Sequence, residues 1–103
     1  MKHTGKGQLQ HHFWGEYYAS IAIEFDTPHI ANLALEKLNG WQTIKGHPQV
    51  ISWHGKEIDE TINKLATLGA DRNAIASIKY SIDYGEPFEV YIEDGAEQLG
   101  LFA

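Results

Sequence analysis

Cysteine is absent from these 103 residues, proline occurs three times, and methionine only at position 1. No apolar run approaches the length of a membrane span. Each absence closes a class of function. Without cysteine there are no disulfides, no thiolate metal ligands and no cysteine nucleophile, and a reducing, cytoplasmic setting fits such a chain. Without a span-length apolar run, and with no apolar stretch behind Met1-Lys2-His3-Thr4-Gly5-Lys6-Gly7 to make a signal peptide, the expectation is a soluble protein with no membrane association. Repeats, low-complexity blocks and internal linkers are missing too, so the length predicts one domain with a single core.

Basic residues are missing from the last quarter of the chain. All eight Lys and Arg lie in residues 1–79 together with eight of the fourteen Asp and Glu, which cancels their charge. The formal net charge of −6 therefore sits entirely in residues 80–103, on Asp83, Glu86, Glu89, Glu93, Asp94 and Glu97. Such a field repels phosphate backbones, so direct nucleic-acid binding is not expected there. An acidic stretch is most often solubilising surface. The sharper alternative is a surface that meets a basic protein or imitates DNA.

What is present is ample apolar material: 43% hydrophobic residues, with three Trp, five Tyr and four Phe. Its spacing predicts the elements. Residues 1–7, with two Gly and two Lys, read as a flexible N-terminus. Gln8 to Phe13 reads as a strand, followed by a turn at Trp14-Gly15-Glu16-Tyr17. Tyr17, Ala19, Ile21, Ile23 and Phe25 alternate with Tyr18, Ser20, Ala22 and Glu24, the period of a strand. Thr27-Pro28 opens a helix whose stripe is Ile30, Leu33, Ala34 and Leu38, with Asn39-Gly40 as its stop. Gln49 to Trp53 reads as a strand, with Trp41 to Ile44 as a partner across Lys45-Gly46-His47-Pro48. Lys56 to Leu68 reads as a second helix closed by Gly69, with Ile58, Ile62, Leu65 and Leu68 inward and Glu60 and Lys64 paired. Ile78, Tyr80, Ile82 and Tyr84 alternate into a last hairpin with Phe88, Val90 and Ile92.

One apolar face per strand and one stripe per helix predict an α+β two-layer sandwich. The expected sheet is mainly antiparallel with two helices on one face, loosely ferredoxin-like, in the order β-β-α-β-α-β-β. The domain is placed at residues 8–94, with residues 95–103 as a C-terminal tail. The other sheet face is then bare. Its expected lining is Tyr18, Ser20, Glu24, Lys79, Ser81, Asp83, Glu89, Tyr91 and Glu93, an acidic and aromatic surface. Basic groups that would hold RNA on such a face are too few. A protein-contacting face or a homodimer interface is the alternative to plain solvated surface.

Catalytic and metal signals do not assemble. The six His at positions 3, 11, 12, 29, 47 and 54 include no helical H-x-x-x-H pair, and His11 and His12 are neighbours on a strand and point apart. Gly5-Lys6-Gly7 lacks the preceding strand and the Lys-Ser/Thr pair of a phosphate loop. Ser52 and His54 have no third group beside them in the sequence. No cofactor, metal site or catalytic residue is expected.

The chain ends in Gln98-Leu99-Gly100-Leu101-Phe102 before Ala103. This run resembles the pentapeptide by which bacterial polymerases and repair proteins grip the DNA sliding clamp. The resemblance covers five residues and leaves the body of the chain unassigned. It implies that Gln98 enters a polar subsite, that Leu99 bridges, and that Leu101 and Phe102 fill an apolar pocket, with Gly100 at a variable position. The bland alternative is a tail that packs Leu99, Leu101 and Phe102 onto its own core. The resulting expectation is a small, non-enzymatic, cytoplasmic adaptor or inhibitor of bacterial or phage origin, acting on the clamp in DNA replication or repair. Two alternatives stand beside it. One is an acidic phage-type inhibitor that imitates DNA and blocks a restriction or CRISPR nuclease. The other is a small dimeric ligand-binding domain.

Overall fold

The computed structural model describes residues 2–13, 18–80 and 85–94. Nine elements follow one another: β1 (Lys2–Phe13), β2 (Tyr18–Glu24), α1 (Pro28–Lys37), β3 (Gln42–Ile44), β4 (His47–Gly55), α2 (Ile58–Thr67), α3 (Arg72–Ala76), a 3-10 turn (Ser77–Tyr80) and β5 (Phe88–Glu93). The strands form one sheet in the order β3-β4-β2-β1-β5, antiparallel at every step. The inward residues of these strands, among them Leu9, Ile21, Ile23, Ile51, Phe88, Val90 and Ile92, share a core with Ile30, Ala34, Ile62, Leu65, Ile75 and Ile78 of the helical segments. The helices cover one sheet face, and the α+β two-layer reading holds.

Local chemistry sets the helix ends. Thr27 caps α1 by accepting from the Ile30 N–H at 3.4 Å, with Pro28 in the first turn where its missing N–H has no partner to lose. The β3–β4 hairpin and α2 also lie where the spacing put them, with the turn narrowed to Lys45-Gly46 because His47 and Pro48 already belong to β4.

Two segments differ from the sequence reading. Residues 2–7 are not a loose end. They are the first half of β1, which runs through the sheet interior with β2 on one side and β5 on the other. Gly5 and Gly7 suggested a coil, yet both face the core because aromatic rings occupy the space a side chain would need. A Cβ on Gly5 would fall against the Phe25 ring, and one on Gly7 against the ring of Phe88, its cross-strand partner. Glycine within a strand here marks the close approach of another group.

The second difference is the final hairpin. Of the proposed strand Ile78–Tyr84, residues 78–80 are helical and 81–84 lie outside the described residues. The Ala74, Ile75, Ile78 spacing is helical and overlaps the two-residue alternation that follows. Asp71 starts α3 by accepting from the Asn73 N–H at 2.8 Å, and the Ser77 hydroxyl donates to the Ala74 carbonyl at 2.6 Å while accepting from the Glu86 N–H at 2.8 Å. The helical layer thus holds three helices rather than two.

The topology explains that extra helix. From β2 onward the chain reads β-α-β-β-α-β, the ferredoxin-like series, with β1 as an added strand between β2 and β5. A single helix after β4 returns the chain to the end where β4 began, so the next strand would run parallel to β4. Because β1 is interposed, β5 runs antiparallel to β4. α3 and the 3-10 turn carry the chain back before β5 starts. The outer edge of β5 is not left open: the Tyr91 N–H donates to the Leu68 carbonyl at 2.8 Å, just past α2. Gly69 makes that turn at φ +91° with the Tyr91 ring against it.

Candidate functional site

The helix-free face is built by the residues that alternate with the core set. On β5, Glu89 and Glu93 are exposed and Tyr91 half-buried, while Phe88, Val90 and Ile92 point inward. Glu24 and Ser20 of β2 lie on the same face, Ser20 with its hydroxyl 2.6 Å from His54 Nδ1 on β4. Lys79 does not belong there. It sits in the 3-10 turn on the helical side and reaches Asp59 of α2 at 2.7 Å. Tyr18 opens β2, but its side chain, along with Ser81, Asp83 and Gln98-Leu99-Gly100-Leu101-Phe102, lies outside the described residues. The turn proposed at residues 14–17 lies outside them too.

The sequence reading missed two lysines of this face because it left residues 2–7 out of the sheet. Lys6 pairs in register with Glu24 on one side and Glu89 on the other, and Lys2 pairs with Glu93. Lys2 Nζ also stands 5.6 Å from the centre of the Tyr91 ring, and the Tyr91 hydroxyl donates to Glu89 at 3.3 Å. The acidic set is therefore interleaved with basic groups across strands, where opposite charges favour pairing. The signal was available: Thr4, Lys6 and Gln8 alternate with Gly5, Gly7 and Leu9, a strand pattern once glycine is allowed an inward position.

A second feature emerges only in three dimensions. Where β3 ends its pairing with β4 at Ser52, a cleft of about 530 Å³ opens between the last residues of β4, the Asn39-Gly40 turn and the first turns of α2. Trp53, half-buried, forms one wall. Gly40 and Gly55 flank its indole, and a Cβ on Gly55 would stand 3.1 Å from the ring. From α2 come Glu60 and Lys64, paired at 3.8 Å, and Thr61, a polar residue only 5% exposed. Glu57 and Lys56 stand at the entrance to the helix. The sequence placed Trp53 at the end of a strand but gave no sign that β3 stops short of it.

Among the described residues the histidines do not gather. His29 is exposed on α1, His47 and His54 are exposed at opposite ends of β4, and His3 Nε2 lies 3.6 Å from Asp94 Oδ2 without a hydrogen-bond partner. Among the described residues no group of three His, Asp or Glu converges in a way that could hold a metal ion. No helix among them is long and apolar enough to cross a membrane. Compared with protein-family models, with curated proteins and with solved structures, the chain shows no significant match to any.

Proposed function

We propose that this chain is a small binding protein that docks on the bacterial DNA sliding clamp through Gln98-Leu99-Gly100-Leu101-Phe102. The observation that carries the proposal is the peptide's residue order: an amide, then three apolar anchors around one small residue. The body is compatible with it, because the described residues already form one continuous core from Leu9 to Ile92. Leu99, Leu101 and Phe102 are the residue types that serve as anchors in another protein's pocket. DNA mimicry is the weaker alternative, since Lys2 and Lys6 break the acidic face into pairs with Glu93, Glu89 and Glu24.

The test is a titration of purified bacterial clamp with the full chain. Micromolar affinity, about −8 kcal/mol, is expected from a short peptide with two or three buried anchors. Leu101→Ala with Phe102→Ala should abolish binding, and Glu89→Gln with Glu93→Gln should leave it nearly unchanged. A chain ending at Glu97 should melt at the wild-type temperature and fail to bind. If the clamp binds the double-alanine variant as well as wild type, or does not bind the wild type at all, the proposal fails. A several-degree loss of melting temperature on truncation would instead assign the tail to the core.

A further inference from the structure

The cleft beside Trp53 lies far from the point at which the chain leaves β5. It opens where β4 ends, opposite the start of β2, whereas the chain leaves β5 at the other end of the sheet and three strands across. At about 4.8 Å per strand that lateral step alone is roughly 14 Å. Occupation of the cleft is therefore proposed independently of clamp docking.

We infer that this cleft binds a neutral, planar heteroaromatic molecule of nucleoside size. Its volume of about 530 Å³ falls within the range of small-molecule sites, roughly 300–1,000 Å³. The indole of Trp53 supplies a flat apolar wall, and glycine at both neighbouring positions keeps side chains away from it. Flat rings stack on such a surface whatever their identity. A purely apolar ligand would waste the rest of the lining, because Thr61 and Asn39 contribute a hydroxyl and an amide that can meet the hydrogen-bonding edge of a heterocycle.

Charge then selects among flat ligands. Glu57 and Glu60 of the lining are matched in number by Lys56 and Lys64, with His54 beside them. Glu60 and Lys64 already face each other at 3.8 Å. An anion drawn to Lys64 would have to displace the Glu60 carboxylate, and a cation drawn to Glu60 would have to displace the lysine, each losing an existing partner. A neutral ring leaves the pair intact.

The experiment follows the Trp53 indole N–H resonance of the full-length protein by two-dimensional NMR. The probes are the neutral nucleosides adenosine, guanosine and uridine, the anion adenosine monophosphate, and the planar cation 1-methylnicotinamide. At least one neutral nucleoside should saturate in the millimolar range or below, with both charged probes about twofold weaker. Trp53→Leu, which keeps an apolar side chain on β4, should weaken binding about tenfold. Thr61→Val, nearly isosteric, should weaken it severalfold while leaving the melting temperature close to wild type. Should Trp53→Leu fail to fold, Lys64→Trp provides the same test by filling the cleft from the surface of α2, and it should abolish binding. Overturning results are a failure of all three nucleosides to saturate at 10 mM, about −2.7 kcal/mol, equal or tighter binding of a charged probe, or unchanged affinity in the folded Trp53 or Lys64 variant. Removing residues 98–103 should change none of these titrations, so loss of clamp binding and loss of cleft binding are read independently.

Discussion

Replacing Gly69 with Ala tests the closure of the β5 edge. Gly69 sits at φ +91°, and a Cβ built there would stand 2.7 Å from Cδ2 of Tyr91. Two costs therefore act together. A non-glycine residue at positive φ costs roughly 1–2 kcal/mol, and relieving the contact requires the half-buried Tyr91 ring to shift, at about another 1 kcal/mol. The sum of about 2–3 kcal/mol corresponds to a fall in melting temperature of roughly 8–24 °C for a domain this size. The Tyr91 N–H to Leu68 carbonyl bond at 2.8 Å lies one residue from the strained position, so the turn cannot move without loosening the edge of the sheet. The assay is urea unfolding of wild type, Gly69→Ala, Tyr91→Ala and the double variant, with constant m-values as the check on two-state behaviour. The conformational share should persist when Tyr91 is alanine, and the contact share should vanish. A Gly69→Ala variant within about 0.5 kcal/mol of wild type, as for an ordinary surface change, would refute the reasoning. A cost identical in both backgrounds would refute the part assigned to the ring.

Two further outcomes follow from β1. Gly7→Ala should destabilise by about 1–3 kcal/mol through overpacking against Phe88, measured by thermal melting, and Phe88→Leu in the same chain should recover part of the loss. Lys6→Glu should cost up to about 1 kcal/mol by placing like charges between Glu24 and Glu89; unfolding at low salt should show the loss and high salt should shrink it, because these groups are exposed.

Much of the fold was legible because the chain states its periods openly. Tyr17 to Phe25 alternates without interruption, and Thr27-Pro28 and Gly69 punctuate their helices by well-understood backbone chemistry. The failures came where one residue type serves two purposes. Gly5 and Gly7 look like coil when read locally, and their strand role depends on Phe25 and Phe88, which are distant in sequence. Ile78 belongs at once to a helical spacing with Ala74 and Ile75 and to an alternation with Tyr80 and Ile82, and a window of a few residues cannot choose between them. The exposed pattern of Glu89, Tyr91 and Glu93 was readable from β5 alone. Its interleaving with Lys2 and Lys6 was not, since cross-strand neighbours depend on sheet order. The Trp53 cleft was beyond reach for the same reason: it exists because β3 stops at Gln42, opposite Ser52.

The position of β1 also constrains when the protein can fold. Its partners on one side come from β2, close by in the chain, but on the other side from residues 88–93, so that Lys2 meets Glu93 and Gly7 meets Phe88. During synthesis at roughly 5–20 residues per second, about 4–16 s pass between the appearance of Gly7 and that of Phe88. Throughout that interval β1 and β2 can pair, yet the inward glycines of β1 have no Phe88 ring above them and its outer edge offers unpaired main-chain groups. Completion of the sheet thus waits for the last strand, and the long loop it closes favours slow folding. An incomplete chain that stops before residue 88 presents the template for strand addition that the finished protein keeps in its interior.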